Sequence, residues 1–315
     1  MRSRGSPAVV DLGVDLGGVT LPNPVVAASG TFGHGAEVAR LCPPEGIGAV
    51  TAKSVAIFAS VGNPPLRVTE ARGGGMLNSV GLPGPGVDAW IMHDVPALEA
   101  HGARVIASIW GRSIEEFDKA ARALEAVARR ITAVEVNLSC PNVEDRANVF
   151  AHSPNATRDA TGVVVDALGS NVPVFAKLSP NVTDIVEIAS AAVDAGATGL
   201  TVVNTVMGLL IDTSTRMPRL GAGGGGLSGP PIKAIALRAV ADVARTHPGV
   251  PIIGTGGVTT GEDAVEMLLA GAYAVGVGTA TFLEPRATLR IVDELRTWCA
   301  RNGVSRVRDL TGGMQ

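Results

Sequence analysis

The stretch Asn137-Leu138-Ser139-Cys140-Pro141-Asn142 sets a thiol between two carboxamides. Each carboxamide carries a donor and an acceptor in one plane, so a pair of them can read the edge of a planar polar ring. A free thiol ionises near pH 8.5, which makes it, after histidine, the side chain best able to exchange a proton close to neutrality. A base between two ring-gripping amides points to proton abstraction from a small planar substrate. The same residues also fit a buried structural cysteine beside a turn, because free cysteine often serves as a small core residue.

Two lysines extend this chemistry. Lys53 and Lys177 each lie at the end of a short apolar run. A lone lysine there would normally snorkel to the surface. Two at matching positions imply buried ammonium groups, which need an anionic partner. A flavin ring, which gains negative charge near its N1–C2=O edge on reduction, is one such partner. Two glycine turns, Gly254-Thr255-Gly256-Gly257 and Gly278-Thr279, also follow apolar runs and precede helical stretches. Backbone N–H groups in such turns can cradle a phosphate. Neither turn has the glycine spacing or acidic partner of a dinucleotide fingerprint.

The elements that must position these groups are eight short aliphatic runs: residues 25–28, 48–52, 104–108, 133–138, 174–178, 199–203, 251–254 and 274–278. Continuous apolar runs of this length suit parallel strands buried on both faces. Amphipathic stretches at 113–130, 156–168, 182–195, 231–246, 261–270 and 285–302 separate the later ones, with Pro231 and Pro285 at helix starts. Eight strands alternating with helices predict one α/β domain over residues 1–315, a (β/α)8 TIM barrel. An open doubly wound sheet is the alternative. Residues 9–24 read as an N-terminal hairpin turning at Gly17-Gly18. Three long connections, 54–103, 142–153 and 205–230, are expected over the carboxyl-end face, where such a barrel keeps its site. The glycine-rich tract 221–229 reads as a binding loop, or else as a flexible linker.

Composition excludes several classes. Apolar residues make up 46% of the 315, aromatics only 3%, and the formal charge is −3. A core of small aliphatic side chains follows. No basic footprint for nucleic acid or an anionic membrane is present. Cys42, Cys140 and Cys299 are odd in number and widely spaced, so neither a disulfide framework nor a metal site is expected, and a cytoplasmic location is. Residues 1–7 lack the apolar core of a secretory leader. The uncharged runs 195–211 and 267–283 are each broken by glycine and short of the roughly 20 residues a spanning helix needs.

Together the motifs resemble those of class 1 dihydroorotate dehydrogenases, and the likeness runs nearly end to end. It is carried by residues 137–143, Asn78-Ser79-Val80-Gly81-Leu82, Lys177-Leu178-Ser179-Pro180-Asn181-Val182-Thr183, Asn204-Thr205, Gly226-Leu227-Ser228-Gly229-Pro230 and the turn at 254–257. Details such as Gly-Leu-Ser-Gly-Pro are most similar to the NAD-linked class 1B catalytic subunit. The resemblance implies FMN held by Ser29, Lys53, Ser54, Asn137, Lys177 and Val203. Gly229, Gly256, Gly257, Gly278 and Thr279 complete that set. Ser108 stands where the family usually places an FMN-contacting asparagine. The resemblance further implies a pyrimidine gripped by Lys53, Asn78, Val80, Gly81, Leu82, Asn137, Asn142, Asn204 and Thr205. Cys140 would take the C5 proton of dihydroorotate while the C6 hydride passes to flavin N5. It also implies a homodimeric core and a partner subunit carrying FAD and a [2Fe–2S] cluster. Residues 144–151 depart from the family's loop, and 221–226 is richer in glycine. Two other readings stay open: a related flavoenzyme acting on a different reduced ring, and a barrel that binds a phosphorylated ligand without redox work.

Overall fold

The computed structural model describes residues 10–139, 141–142 and 148–315, with backbone alone at 141, 142 and 148. Eight parallel strands close into a barrel in sequence order: β1 Val25–Ala27, β2 Ala49–Thr51, β3 Val105–Ile109, β4 Ala133–Asn137, β5 Val174–Lys177, β6 Gly199–Val202, β7 Ile252–Thr255 and β8 Ala274–Val277. The closing pair sets Val275 beside Val25 and Val277 beside Ala27. Closure excludes the open doubly wound sheet, which would leave two unpaired edges. Every strand falls where an aliphatic run predicts one. Almost every strand residue is buried, as a strand covered on both faces requires.

Capping residues set several helix starts. Ser113 Oγ accepts from Glu116 N at 3.3 Å ahead of helix Ile114–Leu124. Ser153 starts Pro154–Leu168, two residues earlier than periodicity alone implies. Asp184 Oδ1 accepts from Val186 N at 2.9 Å, so the next helix runs Ile185–Asp194 rather than from 182. Each cap satisfies a backbone donor that the first turn cannot. Pro230 and Pro231 form a 3-10 turn, and the α-helix proper is Lys233–Thr246. Helices Gly261–Leu269 and Ala287–Arg301 complete the outer ring. Their inward faces bury Val265, Leu268, Ile291 and Leu295. Such side chains stabilise the fold by about 1.5–3 kcal/mol each.

The hairpin expected at the start is present: Val14–Asp15 pairs with Thr20–Leu21, just ahead of β1. Two features of the long connections differ from simple loops. The segment after β2 holds helical turns at Val87–Ala89 and Val95–Ala100, joined by a π-turn at Trp90–Asp94, and Trp90 is fully buried. The segments after β2 and β6 combine into one antiparallel sheet, ordered Val206–Gly208, Gly225–Ser228, Gly75–Asn78, Val68–Ala71. Gly226 pairs with Asn78 and Leu227 with Leu77. The glycine-rich tract is thus in part a central strand of a roof over the barrel mouth, not a linker. The runs 195–211 and 267–283 resolve into turns and short elements. Among the described residues no helix is long and apolar enough to cross a membrane.

Candidate active site

A cavity of about 590 Å³ opens at the carboxyl ends of the barrel strands, beneath the roof. That volume lies within the range of small-molecule and cofactor sites. It can be built from its floor upward.

Residues two apart in a strand share a face. Glu135 and Asn137 of β4 therefore point the same way, into the barrel. Asn137 Nδ2 donates to Ser54 Oγ at 3.0 Å, and its Oδ1 accepts from Ser139 N at 3.2 Å. Both ends of this carboxamide are therefore fixed. Ser54 Oγ lies 3.3 Å from Ser29 Oγ and 2.8 Å from Ser108 Oγ. Ser108 Oγ donates to Glu135 Oε1 at 3.1 Å, while Thr201 Oγ1 donates to Oε2 at 3.1 Å. Lys177 Nζ stands 3.5 Å from Glu135 Oε1, and both side chains are almost wholly buried. The floor is thus a chain of hydroxyls ending in a buried ion pair. Lys177 has a protein carboxylate as its counter-charge, a partner that the apolar runs did not reveal.

Lys53, at the end of β2, is only half-buried, and among the described residues no carboxylate lies within ion-pair distance of it. Burial, aided by the charge of Arg67 and opposed by Glu37, holds its amine below the ordinary lysine range. Beside it, burial and the Lys53 charge push the His34 imidazole down. Ser139 lines the cavity, and its Oγ is buried with no hydrogen-bond partner among the described residues. An unpaired buried hydroxyl is costly unless a ligand or water completes it.

The wall beneath the roof is formed by Asn78, Val80, Gly81 and Leu82 on one side and by Asn204 and Thr205 on the other. Leu82 has φ of 51°, a left-handed conformation that a non-glycine residue holds only under local constraint. Asn78 Nδ2 donates to Gly226 O at 3.3 Å. Asn181 ties the opposite wall: its Nδ2 donates to Thr205 O at 2.9 Å and its Oδ1 accepts from Met207 N at 2.8 Å.

At the far end lie Gly229, Gly256, Gly257, Gly278 and Thr279. Gly257 has φ of 79°, and a Cβ there would sit 2.8 Å from Lys233 Cα, so the turn and the helix start touch as only glycine permits. Lys233 Nζ in turn bonds Asp263 Oδ1 at 2.7 Å. Asp263 Oδ2 accepts from Thr259 N, Thr259 Oγ1 and Thr260 N at 2.8, 2.7 and 2.9 Å. Burial works against this carboxylate, but those bonds outweigh it and bring its pKa down to about 2.

Of the residues singled out from sequence, Ser29, Lys53, Ser54, Asn137, Lys177 and Val203 line the cavity, as do the glycine and roof groups just named. Ser108 does not. It sits one layer below, bonded to Ser54 and Glu135. Cys140 and the Asn142 side chain lie outside the described residues. Glu135, Asn181 and Arg112 were not anticipated. Glu135 had a readable signal, a carboxylate within an apolar run. Asn181 lay inside a quoted motif without a role. Arg112 lines the mouth, its guanidinium 4.0 Å from the Phe58 ring centroid and bonded to Glu116, and nothing in its local sequence marked it.

A closed parallel barrel with a cavity bearing cations and carboxamides at the carboxyl ends of its strands has the architecture of a barrel enzyme. Comparison with known proteins specifies which kind. A family model described as dihydroorotate dehydrogenase matches residues 11–298. A protein of Geobacter sulfurreducens named dihydroorotate dehydrogenase B (NAD(+)), catalytic subunit, is 45% identical over 305 residues, covering 97% of this chain and 98% of its own. One of the same name from Alkaliphilus metalliredigens is 43% identical, covering 97% and 99%. The crystal structure of DHODH in complex with ferulenol from Eimeria tenella superposes with a TM-score of 0.77 at 26% identity, over 99% of this chain and 90% of that one. The chain belongs to the dihydroorotate dehydrogenase family.

Proposed function

We propose that this chain is the catalytic component of an FMN-dependent dihydroorotate dehydrogenase, oxidising dihydroorotate to orotate in pyrimidine biosynthesis. The observation that carries the reading is the cavity itself. It combines two inward-facing ammonium groups, a clamped carboxamide and a glycine-lined end under one roof.

The residues present fit FMN. The glycine turns offer backbone N–H groups without side chains, the arrangement a phosphate needs. Among the described residues Ser139 Oγ has no partner, which a bound molecule could supply. Lys177 and the Ser54–Asn137 pair would hold the ring's polar edge. When bound, FMN supplies the hydride-accepting chemistry.

The chain's own groups bind, orient and move a proton. Lys53 would pair with the substrate carboxylate. Asn78, Asn137, Asn142 and Asn204 would match the alternating donors and acceptors of the pyrimidine edge. Cys140 would take the C5 proton on Sγ, a positioned base contributing roughly 10²–10⁴-fold.

The names of the relatives support NAD as final acceptor and a separate partner subunit; that this partner carries FAD and a [2Fe–2S] cluster rests on the resemblance of the motifs. A homodimeric core draws support from exposed apolar side chains close in sequence, Met207 on a roof strand, then Leu209, and Ile211 and Met217 of the separate hairpin that follows, since clustered apolar exposure marks subunit contacts.

Cys140→Ser tests the base. The variant should stay yellow and lose at least 10²-fold in turnover near pH 7, because a serine hydroxyl ionises too poorly. Full turnover would remove Cys140 from the role. Anaerobic mixing of the wild-type protein with dihydroorotate tests the substrate: the flavin colour should bleach. A persistent yellow colour would assign a different reduced ring.

A further inference from the structure

The geometry points to Glu135 as a positioning residue that sets the reducing power of the bound cofactor through Lys177, an inference that rests on the flavin reading above. Glu135 does not line the cavity. It lies beneath the surface with its carboxylate held from both sides, Oε1 by Ser108 and Oε2 by Thr201, each at 3.1 Å. These two bonds fix where its charge sits.

Lys177 Nζ approaches the same Oε1 only to 3.5 Å. That is the outer limit of a hydrogen bond, and short charge-assisted pairs run 2.7–2.9 Å or so. The contrast with Lys233, whose Nζ is clamped by Asp263 and Glu266 at 2.7 Å each, shows the difference within this protein. Lys177 is steered rather than neutralised by contact, and its ammonium stays available to an acceptor in the cavity that it lines.

The electrostatic consequence follows. Reduction adds negative charge to the isoalloxazine, and a lone buried ammonium beside it would favour the reduced form strongly. A carboxylate fixed behind that ammonium makes the buried pair neutral overall and weakens the bias. Burial keeps both charges out of reach of salt screening. The floor is therefore a balanced pair, with Ser108 and Thr201 fixing the balance point.

Glu135→Gln keeps the shape and removes the charge. The ratio of reduced to oxidised FMN at a fixed potential should rise at least tenfold. That corresponds to an upward shift of about 30 mV for a two-electron couple. The readout is anaerobic titration of the holoenzyme against a reference dye, followed by absorbance. Glu135→Asp keeps the charge and should stay within threefold of wild type. Gln and Asp shifting the ratio equally would overturn the assignment, because packing rather than charge would then be responsible. A yellow Gln variant with a wild-type ratio would overturn it as well, while leaving the flavin reading intact. A wild-type protein that cannot be loaded with FMN would overturn both. Should the Gln variant not fold, Thr201→Val serves: it strips one donor from Oε2 and leaves the charge less dispersed. It should move the ratio at least twofold in the opposite direction, and an unchanged ratio would sink the proposal.

Discussion

Replacing Asp263 by Asn tests how the glycine turn after β7 is braced. The two side chains are nearly the same shape, so the loss can be traced to hydrogen bonding and charge. In the native arrangement Oδ1 accepts from Lys233, and Oδ2 accepts three times from Thr259 and Thr260. A carboxamide with its oxygen toward the threonines turns its NH2 toward the Lys233 ammonium, setting donor against donor. The carboxylate's pKa of about 2, against 3.8 for an ordinary aspartate, converts by linkage to about 2 kcal/mol of stability at pH 7. The sign follows from the depressed folded value. The contribution is complete well above 3.8 and vanishes as pH falls through about 2, with roughly half remaining near pH 3. Urea denaturation of wild type and variant at pH 7 and pH 3 reads this directly. The variant should lose about 2 kcal/mol at pH 7 and about half of that at pH 3. Equal losses at the two pH values would refute the charge argument.

Three further substitutions have expected outcomes. Gly257→Ala combines a left-handed φ with a clash against the Lys233 backbone, and should cost about 2–4 kcal/mol together with most of the FMN affinity. Gly223→Ala, at φ 88° with open space around it, should cost only about 1 kcal/mol, so thermal melts of the two variants separate strain from crowding. Lys53→Met removes a cation that burial disfavours, so the ligand-free protein should melt higher at pH 7. Its affinity for orotate should fall about tenfold to hundredfold, the worth of one charge-assisted bond. A lower melting temperature with unchanged orotate affinity would contradict that account.

The barrel was legible because each strand is a short aliphatic run, and burial on both faces demands that composition. The strand-end groups followed from the register: once Val174-Phe175-Ala176 is a strand, Lys177 must fall at its carboxyl end. The roof was not legible. Its strands pair residues as far apart as Met76 and Ser228, and neither Gly-Met-Leu-Asn nor Gly-Gly-Leu-Ser carries the β-branched alternation that marks a strand alone. Helix Val95–Ala100 hid behind Pro96 and a preceding π-turn, which break the usual spacing. Glu135 stands out in sequence as a lone carboxylate in an apolar strand, but only the three-dimensional neighbours Ser108, Lys177 and Thr201 explain it there.

The composite roof constrains how this scaffold could be re-engineered. Its four strands are contributed by two excursions of the chain, one leaving β2 and one leaving β6, and each supplies half of a shared ladder. Grafting either excursion alone from a relative with a different strand length or register would leave unpaired amides in the middle of the sheet. Exchanging both as a unit preserves the ladder and replaces the wall groups around the mouth together. Chimeras designed to accept new ring substrates should therefore be built by paired transplantation.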